Sequence, residues 1–137
     1  MTSIRPLVCL TALLCSALPA LAHSPADAAQ ARVRELMTRP LPDLPGKEAL
    51  LLTVEYPPGA VDPVHRHDAH GFIYVLEGSI VMAVRGGREV TLSAGQTFYE
   101  GPDDVHTVGR NASATRPAKF LVLLVKPQGA PVLTPVE

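Results

Sequence analysis

From Ala49 onward the chain is written in short runs of β-branched, aliphatic and aromatic residues cut apart by turn formers, a rhythm that few folds accept. The runs are Ala49 to Tyr56, Phe72 to Leu76, Ile80 to Val84, Glu89 to Leu92, Thr97 to Glu100, His106 to Val108 and Phe120 to Val125. Turn residues separate them at Pro57-Pro58-Gly59, Glu77-Gly78-Ser79 and Ser93-Ala94-Gly95, and Gly86-Gly87 between Val84 and Glu89 is a tight-hairpin signal. Short strands of this kind bury their apolar faces by closing into a sandwich or a small barrel. The expected fold class is therefore all-β, and 137 residues make one compact domain with a single site.

The first residues follow a different logic. Arg5 precedes an apolar run from Leu7 to Leu18, and Ala20-Leu21-Ala22 supplies the small residues of a signal-peptidase site. Residues 1–22 are read as a signal peptide cleaved after Ala22, and the protein as exported, periplasmic or secreted. The apolar run is too short to span a bilayer and Pro19 follows it, so no membrane attachment is expected after cleavage. Both cysteines, Cys9 and Cys15, lie in this leader. The mature chain then has no disulfide and no thiolate, and a metal must be held by His, carboxylate or amide groups.

Residues 23–46 read as a helix and an arm. Ser24-Pro25-Ala26-Asp27 resembles a helix start, with Ser at the cap, and Ala29, Val33, Leu36 and Met37 then share one helical face. Pro40, Pro42 and Pro45 make the stretch up to Gly46 an extended connector, suited to packing or to crossing onto a second copy in a homodimer. The domain proper is expected over residues 47–137. Twelve Lys and Arg against 13 Asp and Glu leave a formal charge of −1. That balance offers no basic surface for nucleic acid, and the expected partner is a small-molecule ligand or substrate.

All five histidines lie beyond the leader. His65 and His67 are spaced i, i+2, which puts both imidazoles on one face of an extended segment, and His106 is available as a third from another strand. Three neutral imidazoles with open positions describe a reactive metal site more than a closed structural one. His70 could add a ligand or could be an exposed loop residue. Glu100 is a candidate catalytic general base or fourth ligand, against the plainer reading of a surface strand residue. Phe72, Tyr74, Phe98, Tyr99 and Met82 are read as core packing, and Asn111-Ala112-Ser113 matches a glycosylation triplet.

Gly59-Ala60-Val61-Asp62-Pro63-Val64-His65-Arg66-His67, followed by Phe72-Ile73-Tyr74-Val75-Leu76-Glu77-Gly78, resembles the first motif of the cupins. Gly95-Gln96-Thr97-Phe98-Tyr99-Glu100-Gly101-Pro102-Asp103-Asp104-Val105-His106 resembles the second, which carries the third histidine. The resemblance covers roughly Leu50 to Val125 and implies a jelly roll, or double-stranded β-helix, with the site inside the barrel mouth. It implies metal binding by His65, His67 and His106. The family's metal-binding Glu should fall four residues after His67, where Gly71 stands, and Gly101-Pro102-Asp103 replaces the usual Pro-x-Gly. Some oxygenase cupins bind iron through three histidines alone, so the resemblance points to a divalent Fe, Mn, Ni, Cu or Zn ion and to dioxygenase-like or related small-molecule chemistry. A non-catalytic periplasmic module that binds a sugar, a metal or another small ligand is the other reading, and fold alone does not choose between them.

Overall fold

The computed structural model describes residues 30–137. Among them the regular elements are all strands: β1 (Arg32–Pro40), β2 (Lys47–Tyr56), β3 (His65–Arg66), β4 (His70–Glu77), β5 (Ser79–Val84), β6 (Val90–Ser93), β7 (Thr97–Glu100), β8 (His106–Asn111), β9 (Ala118–Pro127) and β10 (Thr134–Pro135). They form two five-stranded antiparallel sheets, ordered β1-β2-β9-β4-β7 and β10-β3-β8-β5-β6. This is the jelly roll that the motif resemblance implied.

The alternation read in the sequence sets which side chains face between the sheets. Along β2, Leu50, Leu52, Val54 and Tyr56 turn inward, and along β9 Ala118, Phe120, Val122 and Leu124 do the same. Ile80 and Met82 from β5 and Leu92 from β6 meet them from the second sheet, giving one core. β2 and β9 run in register from Lys47↔Pro127 to Tyr56↔Ala118, so the start of the barrel is zipped to its end. The inward row of β9 finishes on Lys126, whose buried Nζ donates to Glu48 Oε1 at 2.5 Å and to the Ala130 carbonyl at 2.7 Å. That pairing lets a charge occupy an inward position at the barrel end.

All seven runs taken as strands are strands, with the boundaries moved by a few residues. The N-terminal helix is a correction. Its expected start, Ser24 to Ala29, lies outside the described residues, but Arg32–Pro40 is an edge strand paired with β2 from Arg32↔Glu55 to Pro40↔Glu48. Val33, Leu36 and Met37 stay exposed, so the helical face had no core to meet. The free edge of β2 offers a ladder of backbone partners instead. Leu41 to Gly46 is likewise not an extended arm, because Leu44 N donates to Leu41 O and Lys47 N to Leu44 O, turning β1 back onto β2.

Two smaller expectations also change. Phe72, Tyr74 and Tyr99 lie half-exposed on the outer face, since Gly71, Ile73 and Val75 take the inward positions of β4; Met82 is buried, and Phe98 packs against the core. Asn111 is buried, with Nδ2 reaching the carbonyls of Tyr56, Pro57 and Arg116 at 2.8–3.1 Å. Its amide is a clamp on the end of β2, out of reach of a glycosylating enzyme in the folded chain.

Candidate metal centre

His65 sits on β3 and His106 opens β8, and the two are register partners in the sheet. Their rings stack with centroids 4.9 Å apart. His67 follows one residue beyond β3 and brings its Nε2 to 3.1 Å from that of His65. Each of the three offers a ring nitrogen, and these atoms lie within 4.8 Å of one another. His65, His67 and His106 therefore form the cluster expected from the i, i+2 pair and the distant third histidine. His70 does not join it. β4 turns that side chain outward, where Nδ1 meets the Tyr99 hydroxyl at 2.8 Å.

The hydrogen bonds on the far side of each ring fix which nitrogen is bare. His65 Nδ1 donates to the Pro63 carbonyl at 2.8 Å and His67 Nδ1 to the Val132 carbonyl at 2.6 Å. A carbonyl can only accept, so each Nδ1 carries the proton and each Nε2 of the neutral ring presents a lone pair. His106 is held the other way round, with Nε2 donating to the Val108 carbonyl at 2.7 Å. Its Nδ1 is buried with no hydrogen-bond partner in the neutral ring. Two lone pairs 3.1 Å apart and an orphaned buried nitrogen repel one another unless a proton or a cation stands among them. Anchoring of the remote ring nitrogen by a backbone carbonyl is also the usual way a ligating imidazole is oriented.

Glu100, at the end of β7, points into the same cluster and is almost fully buried. Its Oε1 lies 3.2 Å from His67 Nε2 and its Oε2 3.0 Å from His106 Nδ1. With neutral rings both contacts join acceptor to acceptor; a protonated His106 would turn the second into an ion pair. Burial raises the Glu100 pKa, but His106, His67 and His65 outweigh it and hold the carboxyl below its ordinary value. Burial lowers that of His106, yet Glu100 carries the net shift upward. His65 is pulled down, chiefly by burial.

Ligands about 2.1 Å from a transition metal stand roughly 3.0–3.4 Å apart in octahedral or tetrahedral sets. The separations of 3.1, 3.2 and 3.0 Å along His65, His67, Glu100 and His106 match that spacing. The donor set, imidazoles with one carboxylate and no thiolate, suits Fe, Mn, Ni, Cu or Zn, so the residues present fit a divalent ion.

The cluster stands at one end of a cavity of about 690 Å³ between the sheets. Leu52, Val54, Ile73, Met82, Phe120 and Val122 give it apolar walls, while Val33, Val61, Val132 and Leu133 ring the mouth. Two further polar residues line it that the sequence reading passed over. The Tyr56 hydroxyl donates to Asp62 Oδ2, and both lie beside His106: a Cβ on Gly109 would be 3.0 Å from Tyr56 Oη, 3.2 Å from Asp62 Oδ2 and 3.2 Å from His106 Nε2. Burial and the Asp62 charge raise the Tyr56 pKa, so the phenol stays neutral and keeps its proton. The signal for Tyr56 was its inward position on β2, because a buried tyrosine needs a partner for its hydroxyl.

Solved structures with this architecture include an uncharacterized conserved protein with a double-stranded β-helix domain from Klebsiella pneumoniae, 16% identical, with a TM-score of 0.63 over 83% of this chain and 90% of that one. The polyketide cyclase RemF from Streptomyces resistomycificus is similar at 23% identity and a TM-score of 0.59, covering 80% of this chain and 73% of that one. The DMSP lyase DddQ from Ruegeria pomeroyi matches at 22% identity and a TM-score of 0.58 over 64% of this chain. The match spans only 43% of the lyase chain. At such identities the likeness is one of fold. No curated protein matches the chain significantly. A family model described as Cupin domain matches residues 52–124, more than half of the sequence, and it encloses His65, His67, Glu100 and His106. With the jelly roll, the two motifs and this match in agreement, the chain belongs to the cupin family.

Proposed function

We propose that this cupin is an exported metal-dependent enzyme that acts on a small, largely apolar substrate, with dioxygenase-type chemistry as its leading activity. The observation that carries the reading is the convergence of bare ring nitrogens from His65, His67 and His106, each ring anchored behind by a backbone carbonyl. A divalent ion held there by His65, His67 and His106 would supply a Lewis acid, and Fe, Mn, Ni or Cu, unlike Zn, would also supply the redox chemistry that oxygen needs.

The chain's own residues do the rest. The apolar walls favour a substrate with little charge, and a low-dielectric surround strengthens the electrostatic contacts made at the cluster. Glu100 puts one negative charge at the cluster, and the hydrogen-bonded pair of Tyr56 and Asp62 adds a polar patch to the same cavity wall. Export rests on the leader, and amino-terminal sequencing of the secreted protein is expected to begin at His23.

The test is reconstitution of the metal-stripped protein with Fe²⁺, Mn²⁺, Ni²⁺, Cu²⁺ or Zn²⁺ in turn, followed by oxygen uptake with diketones, flavonols and thiols. Metal-dependent uptake that disappears in His106→Ala is the expected result. Stoichiometric metal binding with no turnover on any of these would overturn the enzymatic reading in favour of a binding module.

A further inference from the structure

We propose that Glu100 is a fourth metal ligand, carried on β7 and admitted to the cluster by the missing side chain of Gly71 on β4. This rests on the metal-binding reading above and makes the centre three imidazoles and one carboxylate. Gly71 and Glu100 are register partners in the β4–β7 ladder, so side chains at the two positions project to the same side of the sheet. A Cβ on Gly71 would stand 2.9 Å from Glu100 Cγ and 3.0 Å from Oε1. Its backbone is not in the left-handed region that calls for glycine. Space is what the position provides, and the Glu100 side chain fills it.

Position 71 is also where the first motif would place its carboxylate. Glu100 thus presents a carboxylate from the neighbouring strand, directly across the ladder from that position, with the glycine as clearance.

With the three rings neutral, a role for Glu100 as a mere hydrogen-bond partner does not fit. Such a carboxylate accepts an N–H, but His67 uses its Nδ1 proton on Val132 and His106 its Nε2 proton on Val108. Neutral rings have no proton left on the atoms facing Glu100. Nor does any lysine or arginine among the described residues form an ion pair with it; its only charged contacts are the two histidines. A buried anion with such surroundings needs a cation: a proton on His106 would serve Glu100 alone, whereas a metal ion also serves the facing lone pairs of His65 and His67.

The experiment is a Co²⁺ titration of the stripped full-length protein, followed by visible absorption and chelator competition, for the parent, His65→Ala, Glu100→Gln and Gly71→Ala. Circular dichroism confirms that each variant is folded, and Glu100→Gln keeps the shape of the side chain. The parent is expected to bind one equivalent and His65→Ala to lose it. Glu100→Gln is expected to bind on the order of 10–100-fold more weakly, the range seen even for outer partners of ligands, and with altered ligand-field bands. Gly71→Ala is expected to weaken binding as well, by pushing the carboxylate aside. A parent that binds while Glu100→Gln matches it in affinity and spectrum overturns this inference alone. Gly71→Ala with parental affinity overturns the clearance role. A parent that takes up no Co²⁺ overturns the metal reading together with it.

Discussion

His65 and His106 face each other as register partners between β3 and β8, so two rings from distant parts of the sequence stack 4.9 Å apart on the cavity wall. Neither strand holds a complete site. His106→Ala is expected to reduce bound metal from about one equivalent to background by mass spectrometry. Added divalent metal should raise the melting temperature of the parent and leave that of His106→Ala unchanged, because a ligand stabilises only the state that binds it.

The opposition of Gly71 and Glu100 predicts that the carboxylate can be carried by either strand. Glu100→Gly alone should bind metal weakly, and adding Gly71→Glu should recover most of the affinity. Chelator competition on the two variants measures the recovery. Equal affinities would show that a carboxylate at position 71 does not reach the cluster.

Asn111 ties together the end of β2 and the loop before β9 through the carbonyls of Tyr56, Pro57 and Arg116, while its Oδ1 accepts from Ser113 N at 2.8 Å. Asn111→Ala would leave several of these groups without a partner in a buried place. The expected loss is about 2–3 kcal/mol, read as a lower urea midpoint at unchanged slope.

In metal-free protein the pair of Glu100 and His106 should make stability depend on pH. The Glu100 carboxyl is held below its ordinary value of 4.5, so its contribution is present above that value and is lost as pH falls through the folded pKa. The His106 pKa is raised above 6.5, so its contribution is present below 6.5 and is lost as pH rises through the folded pKa. His65 and His67 also face the carboxylate and Asp62 faces His106, and these groups are common to parent and variant. The stability gap between parent and Glu100→Gln should therefore be widest from about pH 4.5 to 6.5 and narrow on both sides. Urea denaturation in the presence of a chelator measures it; a gap that is flat with pH would remove the ion pair.

Seven strands were legible because alternation is a local property: each inward row, such as Leu50, Leu52, Val54 and Tyr56, is written in a few adjacent residues. β1 misled for the converse reason. Ala29, Val33, Leu36 and Met37 carry a helical spacing, and only the open edge of β2 makes Arg32–Pro40 a strand. β3 and β10, with two residues each, are strands because of what they pair with.

At the site, the i, i+2 spacing and the motifs pointed to His65, His67 and His106, and they left Glu100 as an open choice between cavity and surface. Gly71 gave no sign of its part, since a glycine that provides space for a neighbour has no signature in its own segment. The Tyr56 and Asp62 contact was hidden in the same way.

The sequence by itself determined which segments extend and which residue types are on hand to bind a metal, because β-propensity, turn chemistry and alternation act over a few residues. Tertiary structure alone decided that β4 lies beside β7 with Gly71 opposite Glu100, and β3 beside β8 with His65 opposite His106. Register between non-adjacent strands is fixed only when every inward row is buried at once, and a slip of one residue would turn the row outward and take the site with it.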